Sequence, residues 1–237
     1  MNQQADGRKN SVLVTGANRG LGIEFVRQFS AKGWRVHACA RDVSSAPALP
    51  GVVWHRLDVT DFPAVDTLAA ELSGEPIDIL LNNAGVGPRE GAALGEIDYA
   101  LWRRVLEINS IAPIKIIEAF ADHVAASGRK IIASVSSELG AGEFIDRAGL
   151  ARSGSWIHYR SSKAALNIAQ RSIDPALAVR GIISLLLHPG WVSTDLGSAR
   201  ATMKPEDSVA AMIALLERAD ASMHGKFIAH DGRIVPW

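Results

Sequence analysis

Short apolar runs alternate with segments whose apolar residues recur at helical spacing. The first run, Ser11–Thr15, enters a glycine-rich turn, and Leu21, Phe25 and Phe29 then share one face of a helix predicted over residues 20–32. Gly33 is placed to end this helix as a C-terminal cap, and a second strand is predicted over residues 34–40. The chain therefore opens as strand, helix and strand.

The same alternation continues to the end of the chain. Further strands are predicted over residues 52–59, 77–81, 130–135, 182–187 and 226–229, and helices over about 61–72, 97–126, 156–178 and 206–217. Strands that alternate with helices form a parallel sheet covered on both faces, with a ligand crevice at the carboxyl ends of the strands. We predict an α/β fold with a doubly wound parallel sheet of about seven strands and helices on both faces.

No linker, repeat or shift in composition divides the chain, so we expect one domain over residues 1–237 with a polar N-terminal extension, 1–10. The least regular stretch is 140–155, which contains four glycines together with Glu143, Asp146, Arg147 and Arg152. We interpret it as a loop on the substrate side, because long loops in compact domains usually carry function. Its charges are equally consistent with a solvated rim.

Charge and composition exclude several classes of partner. The 25 basic and 25 acidic residues cancel, and no run of one sign suggests binding to nucleic acid. The N-terminus lacks the apolar stretch of a signal peptide, no segment is long and apolar enough to span a membrane, and Cys39 is alone. We therefore expect a cytoplasmic protein with no membrane partner. The scattered histidines predict no metal site.

The first strand runs into a glycine-rich loop, TGANRGLG, whose residues Gly16, Asn18, Arg19, Gly20, Leu21 and Gly22 open the first helix. Such a loop lets the backbone approach a pyrophosphate, which the unpaired N–H groups at the helix start can bind. An ordinary glycine-rich turn is the alternative. Its position at the first strand-to-helix junction favours a dinucleotide-binding Rossmann fold.

The end of the second strand bears on which dinucleotide is bound. An acidic residue is typical there in proteins that bind NAD, whereas this chain has Ala40 and Arg41. Arg41 and Arg19 can together hold a 2′-phosphate, so we expect NADP(H), with NAD(H) as the alternative. Two solvated arginines remain an alternative, and the nearby Asp42 leaves the register open.

The third strand is followed by Asp58 and Val59, where a carboxylate can accept the adenine amino group. Asp58 is equally placed to cap the next helix.

Later motifs extend this pattern. They are Asn82-Asn83-Ala84-Gly85, Asn109, Ser136-Ser137, Tyr159-Arg160-Ser161-Ser162-Lys163 and Pro189-Gly190. With these motifs the chain resembles the short-chain dehydrogenase/reductase family over essentially its whole length. YRSSKAALN, HPGWVSTD and the C-terminal DGRIVPW resemble the C-factor and Sniffer-type carbonyl reductases more narrowly.

The resemblance implies a catalytic set of Asn109, Ser137, Tyr159 and Lys163. It also implies that Asn83, Ala84 and Gly85 line the cofactor cleft, that Pro189, Gly190, Val192 and Thr194 lie near the nicotinamide, and that Lys163 binds the nicotinamide ribose. In this family the Asn109 carbonyl holds a water in a proton relay to Lys163. Substrate is then a small carbonyl compound or alcohol.

Chemistry gives the pair Tyr159 and Lys163 its own rationale. The two residues lie four apart in a predicted helix and so share a face. An ammonium beside a phenol stabilises the phenolate and lowers the phenol pKa, which fits Tyr159 as general acid in a reduction. Alone, the spacing is as typical of an amphipathic surface helix.

Ser137 and Asn109 are argued from local geometry. Ser137 follows the fifth strand and can donate to a substrate carbonyl. The family resemblance implies a glycine three residues after the catalytic serine, which Gly140 supplies for Ser137, and Ser136 points the opposite way from a strand. Asn109 precedes Pro113 by four residues, so its carbonyl lacks the usual helical donor. A proline kink that serves packing alone is the alternative.

Two features depart from the family pattern or bear on specificity. Ser137 and Tyr159 are 22 positions apart, longer than is typical, and the extra residues fall in 140–155, from which Glu143 or Arg152 can reach the pocket. The region 195–205 is short, which suggests an open pocket. Trp156 and Trp191 are candidate apolar walls or core residues.

The leading hypothesis is an NADPH-dependent carbonyl reductase. The alternatives are an NAD-linked alcohol dehydrogenase and a dinucleotide-binding signalling or sensor protein. We expect a homo-oligomer, with a monomer as the alternative.

Overall fold

Seven strands form one parallel sheet in the computed structural model, which describes residues 8–87, 92–144, 156–194, 196–197 and 201–237. The spatial order is β3-β2-β1-β4-β5-β6-β7. The strands are β1 Ser11–Thr15, β2 Arg35–Ala40, β3 Val52–Arg56, β4 Ile79–Asn82, β5 Ile131–Val135, β6 Ile183–His188 and β7 Lys226–Ala229. The predicted doubly wound parallel sheet is confirmed.

Six α-helices accompany these strands in the described ranges: α1 Gly20–Ala31, α2 Phe62–Glu71, α3 Tyr99–Leu106, α4 Ala112–Ala125, α5 Ile157–Val179 and α6 Pro205–Glu217. Most bounds lie within two residues of the predicted ones. β3 is shorter than predicted, because its pairing with β2 ends at Ala40 and Arg56.

The single helix predicted over 97–126 is wrong. A π-helical turn, Glu107–Ile111, separates α3 from α4. Pro113 has no N–H to continue an α-helical register with Asn109, and the backbone instead widens so that the Ala112 N–H is bonded to the Glu107 carbonyl. Asn109 therefore lies inside this widened turn.

Alternate residues of the strands bury opposite faces of the sheet. Val12 and Val14 pack with α1 and α6, whereas Leu13 and Leu80 pack with α2, α4 and the end of α5. Winding reverses between β1 and β4, which are hydrogen-bonded neighbours. The crevice at their carboxyl ends is where such sheets bind ligands.

Gly33 ends α1 as predicted. Its φ is +79°, and the Trp34 N–H donates to the Phe29 carbonyl at 3.1 Å while the Gly33 N–H donates to Ser30 at 2.9 Å. This pair of bonds is the Schellman motif, which requires a left-handed residue.

The beginning of the predicted loop 140–155 is ordered into short 3₁₀ turns, Glu138–Gly140 and Gly142–Phe144. Gly140 packs directly on α5, since a Cβ there would lie 2.7 Å from the Lys163 carbonyl carbon. Glu143 is exposed. Asp146, Arg147 and Arg152 lie outside the described residues.

Within the described ranges no helix is both long and apolar enough to cross a lipid bilayer.

Candidate active site at the carboxyl ends of the strands

The glycine-rich loop is held in a shape that side chains would disrupt. Gly16 has φ +63°, and a Cβ there would lie 2.7 Å from the Cα of Ala84. A Cβ on Gly22 would lie 2.1 Å from the Gly16 carbonyl oxygen. Gly20 also has a left-handed backbone, with φ +54°, which favours glycine. The loop therefore leaves its backbone exposed to a ligand.

Asn83 and Thr15 tie this loop to the neighbouring strand. The Asn83 side-chain amide donates to the carbonyls of Thr15 at 2.9 Å and Gly16 at 3.2 Å. The Thr15 hydroxyl accepts the N–H groups of Asn83 and Ala84, both at 3.0 Å. The asparagine thus fixes the shape of the glycine loop, a role that the sequence pattern had not indicated.

The start of α1 fits an anionic group. Arg19 occupies the N-cap position with no side-chain cap hydrogen bond, and the first turn carries no acidic residue. Asn18 and Arg19 are exposed, and Leu21 is half-buried. Helical N–H groups that no side chain caps, beside a backbone cradle that a Cβ would fill, suit a pyrophosphate.

Arg41 is exposed at the end of β2, where the 2′-position of an adenosine ribose is expected. The neighbouring Asp42 is turned into a local contact, because it accepts the Ser44 hydroxyl at 2.7 Å and the Ser44 N–H at 2.9 Å. These hydrogen bonds lower the pKa of Asp42. A carboxylate already bonded to Ser44 is a weaker candidate for the ribose than Arg41 is for a phosphate.

Asp58 forms a turn after β3 and is not a helix cap. It accepts the Thr60 hydroxyl at 2.8 Å and the Thr60 N–H at 3.0 Å, while Asp61 caps α2 through the Ala64 N–H. Partial burial works to raise the pKa of Asp58, but the Thr60 hydrogen bonds outweigh it and the pKa is lowered. The charges of Arg41 and Arg104 act in the same direction.

Val59 beside it is buried in the hydrophobic core. The predicted contact of Val59 with a cofactor can therefore be made by its backbone but not by its side chain.

Tyr159 and Lys163 lie near the start of α5 and share one face, as their spacing predicts. The Lys163 Nζ lies 5.7 Å from the centroid of the Tyr159 ring and donates to the Val135 carbonyl at 2.8 Å. Lys163 is buried, and Tyr159 is half-buried. The two side chains thus meet at the carboxyl end of β5.

The expected lowering of the Tyr159 pKa by Lys163 is wrong for this structure. Burial raises the pKa of Tyr159 to about 12, although a hydrogen bond with the Ser137 side chain lowers it in part. Burial also lowers the pKa of Lys163 to about 8. Burial of the ring is the largest cause of the shift, and it keeps the phenol protonated at neutral pH.

The two adjacent serines face opposite sides. Ser136 Oγ donates to Asn167 Oδ1 at 2.5 Å inside the protein, whereas the Ser137 side chain lies near Tyr159 and lowers the pKa of its phenol in part. Ser137 Oγ also accepts the Leu139 N–H at 3.2 Å. Strand alternation therefore brings Ser137, and not Ser136, to the phenol.

Asn109 joins the site through its side chain. Its amide donates to the Val86 carbonyl at 2.8 Å and to Ser162 Oγ at 2.9 Å, and its Oδ1 accepts the Val86 N–H at 2.9 Å. A Cβ on Gly85 would lie 3.5 Å from Asn109 Oδ1 and 3.7 Å from Lys163 Nζ. The π-helical turn therefore places the Asn109 side chain near Lys163, with Gly85 next to both side chains.

This geometry matches a known family. The family model for short chain dehydrogenases matches residues 10–205. The chain belongs to the short-chain dehydrogenase/reductase family. The C-signal protein of Myxococcus xanthus is 36% identical over 162 residues, which are 68% of this chain and 93% of that protein.

Two solved structures are similar to this chain, each with a TM-score of 0.85, and each match covers 97% of this chain and 100% of the other chain. One is an NADPH-bound carbonyl reductase from chicken fatty liver, 29% identical, and the other is the carbonyl reductase Sniffer of D. melanogaster, 25% identical. The predicted family is confirmed. As a member of the short-chain dehydrogenase/reductase family, the chain is an oxidoreductase that acts on alcohol or carbonyl groups with a nicotinamide nucleotide.

The segment predicted to lie near the nicotinamide follows β6. Ser208 Oγ donates to the Pro189 carbonyl at 2.7 Å, and Gly190 has φ +83° with the His230 ring against it. Val192 is buried, and the Thr194 side chain approaches Gly20, whose added Cβ would lie 3.8 Å away. This segment therefore closes over the glycine-rich loop from the opposite side of the crevice.

Gly87 and Leu196 lie at the open side of the site and were not identified from the sequence. A Cβ on Gly87 would lie 3.0 Å from Leu196 and 3.1 Å from the Tyr159 ring, so the side chains of Leu196 and Tyr159 both lie next to Gly87.

Trp191 is 55% exposed, with its Nε1 donating to the Gly197 carbonyl at 2.5 Å. Trp191 is therefore not a core residue, and Trp156 is half-buried at the start of α5.

Among the residues that the structure describes, no group of three or more His, Cys, Asp or Glu side chains is placed to hold a metal ion.

Proposed function

We propose that the protein is an NADPH-dependent carbonyl reductase in which Tyr159 is the general acid. The observation that carries this proposal is the placement of the Ser137 side chain close enough to Tyr159 to lower the pKa of the phenol in part, beside the buried Lys163 and at the same sheet edge as the glycine-rich loop. Hydroxyl donors grouped at one point suit a carbonyl oxygen that gains negative charge.

The residues divide into binding and chemical roles. Gly16, Gly20 and Gly22 with the start of α1 would hold the pyrophosphate, and Arg41 with Arg19 would hold the 2′-phosphate. Asp58 would hold the adenine, Lys163 the nicotinamide ribose, and the loop from Pro189 to Thr194 the carboxamide. When bound, the cofactor supplies the hydride that the carbonyl carbon accepts.

Tyr159 supplies the matching proton. Its raised pKa keeps Oη protonated at neutral pH, and Oη would donate that proton to the oxygen of the reduced carbonyl. Ser137 would orient this oxygen and, by its hydrogen bond, stabilise the phenolate that remains. Lys163, charged below its pKa of about 8, would stabilise the same phenolate and return a proton to it, and a water held by the Asn109 backbone carbonyl would replace the proton that Lys163 gives up.

The test is NADPH consumption, with NADH in parallel, across aldehydes, ketones, diketones and quinones. We expect turnover with NADPH that is lost in Tyr159→Phe. Absence of turnover across the panel while NADPH still binds would contradict the proposal as stated.

The similarity to C-signal favours a second candidate, a nucleotide-binding signalling protein. A pure sensor does not need the Tyr159 hydroxyl. If Tyr159→Phe abolishes turnover but a biological effect of the protein persists, the sensor role is supported.

An NAD-linked alcohol dehydrogenase would use the same side chains in reverse. It is distinguished by cofactor affinity, since it requires NADH to bind at least as tightly as NADPH.

A further inference from the structure

His188 ends β6 and lies against the residue that follows Ser137. Its Nδ1 accepts the Glu138 N–H over a long 3.4 Å, and its Nε2 lies 3.7 Å from Glu138 Oε2. One imidazole ring thus contacts both the backbone and the carboxylate of Glu138. Neither contact involves the cofactor loop that begins at Pro189.

The protonation state of His188 follows from its surroundings. Burial lowers its pKa to about 4, with His230 and Arg233 acting in the same direction and Glu138 and Asp231 opposing them. The ring is neutral at neutral pH. Because Nδ1 accepts a hydrogen bond, the proton must be on Nε2, which faces the Glu138 carboxylate.

Arg233 approaches the same carboxylate oxygen, with its Nη2 at 3.5 Å from Glu138 Oε2. The His230 N–H donates to the His188 carbonyl at 2.8 Å, so the end of β7 supports the end of β6. The Glu138 carboxylate therefore has two partners, His188 and Arg233, at one oxygen.

The contacts of Glu138 also affect the preceding residue, Ser137. The Glu138 nitrogen belongs to the peptide group that Ser137 begins, and Ser137 Oγ accepts the N–H of Leu139 in the same 3₁₀ turn. Fixing Glu138 fixes the orientation of this peptide and, with it, the direction of the Ser137 hydroxyl towards Tyr159.

We propose that His188 is a positioning residue, which orients the Ser137 hydroxyl by holding the backbone and carboxylate of Glu138. The catalytic part of this inference rests on the proposed carbonyl reductase function. The decisive contact is the acceptor at Nδ1, since only that atom touches the peptide of Ser137.

Three variants separate the two ring nitrogens. His188→Asn keeps an acceptor at the position of Nδ1, His188→Gln places its polar group at the distance of Nε2, and His188→Leu has neither. His123→Leu is the control, because the His123 ring is hydrogen-bonded to the Ala69 carbonyl and packs on Phe120, and it makes no contact with Ser137 or Glu138 in the part of the chain that the structure describes.

We expect His188→Leu to lower kcat at least about tenfold with little change in the Kd for NADPH, because small misplacements of reacting groups slow catalysis strongly. His188→Asn should recover most of this loss and His188→Gln much less. The proposal is overturned if His188→Leu keeps kcat within about twofold, if Gln recovers as well as Asn, or if the Kd for NADPH rises as much as kcat falls.

Crystal structures of the nucleotide-free variants test positioning without turnover. The contact between Ser137 and Tyr159 should persist in the wild type and His188→Asn and be lost in His188→Leu. A wild type without any carbonyl reduction would defeat the proposed function alone. An unmoved Ser137 in His188→Leu would defeat the positioning role alone.

Discussion

The two ends of the crevice are built in different ways. At the proposed catalytic end, Asn109 and Lys163 are buried and bonded to backbone atoms of distant residues, Val86 and Val135. At the proposed adenosine end, Arg41 is exposed, and the two nearby carboxylates are held by residues two positions away in the chain.

This difference indicates which side chains can be substituted without disturbing the fold. Long-range hydrogen bonds in a dry environment fix the catalytic groups, so a change there disturbs chemistry and stability together. An exposed guanidinium at the end of a strand can be exchanged without disturbing the core. Cofactor preference is therefore the more changeable property of this site.

The largest effect is expected from Tyr159→Phe. Loss of the proton donor should lower kcat by about 10²–10⁴ while the Kd for NADPH stays within about threefold. Steady-state kinetics and NADPH titration measure both quantities. Tyr99→Phe is the matched control, because Tyr99 is exposed at the start of α3. A comparable loss in the control would point to a general structural effect.

A smaller and more selective effect is expected from Arg41→Ala. Removing charged hydrogen bonds to a phosphate should raise the Kd for NADPH by about 10–100-fold and leave the Kd for NADH nearly unchanged. Arg27→Ala is the control, because Arg27 is exposed and lies 3.8 Å from Glu24 on α1. Equal changes for both nucleotides would show that Arg41 does not recognise the 2′-phosphate.

Lys163→Met tests how burial at the proposed catalytic end affects the stability of the protein. Burial lowers the pKa of Lys163 from 10.5 to about 8, so the folded chain binds this proton less tightly than the unfolded chain. Replacing the buried cation should raise Tm at pH 7 by about 2–4 °C, a gain limited by the Val135 carbonyl that loses its donor.

The pH dependence has a definite sign. Wild-type stability should rise between pH 8 and 10.5, where the unfolded chain keeps a proton that the folded chain has released. The advantage of Lys163→Met should therefore shrink across that window in thermal melts. A constant difference, or a lower Tm at pH 7, would contradict the assigned direction.

The smallest signal concerns the phenol itself. The chain has two tyrosines, so the phenolate absorbance of Tyr99→Phe reports Tyr159 alone. Since burial raises the pKa from 10 to about 12, the folded protein should show almost no phenolate at pH 10, whereas the unfolded chain should be half-titrated. Half-titration of the folded protein at or below pH 10 would show that the Lys163 charge dominates.

Sequence reasoning worked best where the chemistry is local or periodic. The spacing of Tyr159 and Lys163 within a helix, and the alternation of Ser136 and Ser137 at a strand end, each determine a direction that the fold preserves. The glycine cap at Gly33 is also a local property. Such features need no knowledge of distant elements.

Distant contacts were missed or misjudged. Local spacing gave no sign that Asn83 would bind the Gly16 carbonyl across the crevice, or that His188 would reach Glu138, 50 positions away. The pKa of Tyr159 was misjudged because desolvation depends on everything packed around the ring. The π-helical turn at Asn109 depends on how the freed carbonyls are satisfied, which Pro113 alone does not determine.

Hydride transfer itself is the most direct test of the central claim. NADPH carrying deuterium at C4, in each of its two stereochemical forms, is incubated with an accepted carbonyl compound, and the product alcohol is analysed by mass spectrometry. The account predicts one deuterium on the carbinol carbon from one of the two forms, at a rate that collapses in Tyr159→Phe. An alcohol without deuterium from either form, or undiminished transfer in Tyr159→Phe, would contradict it.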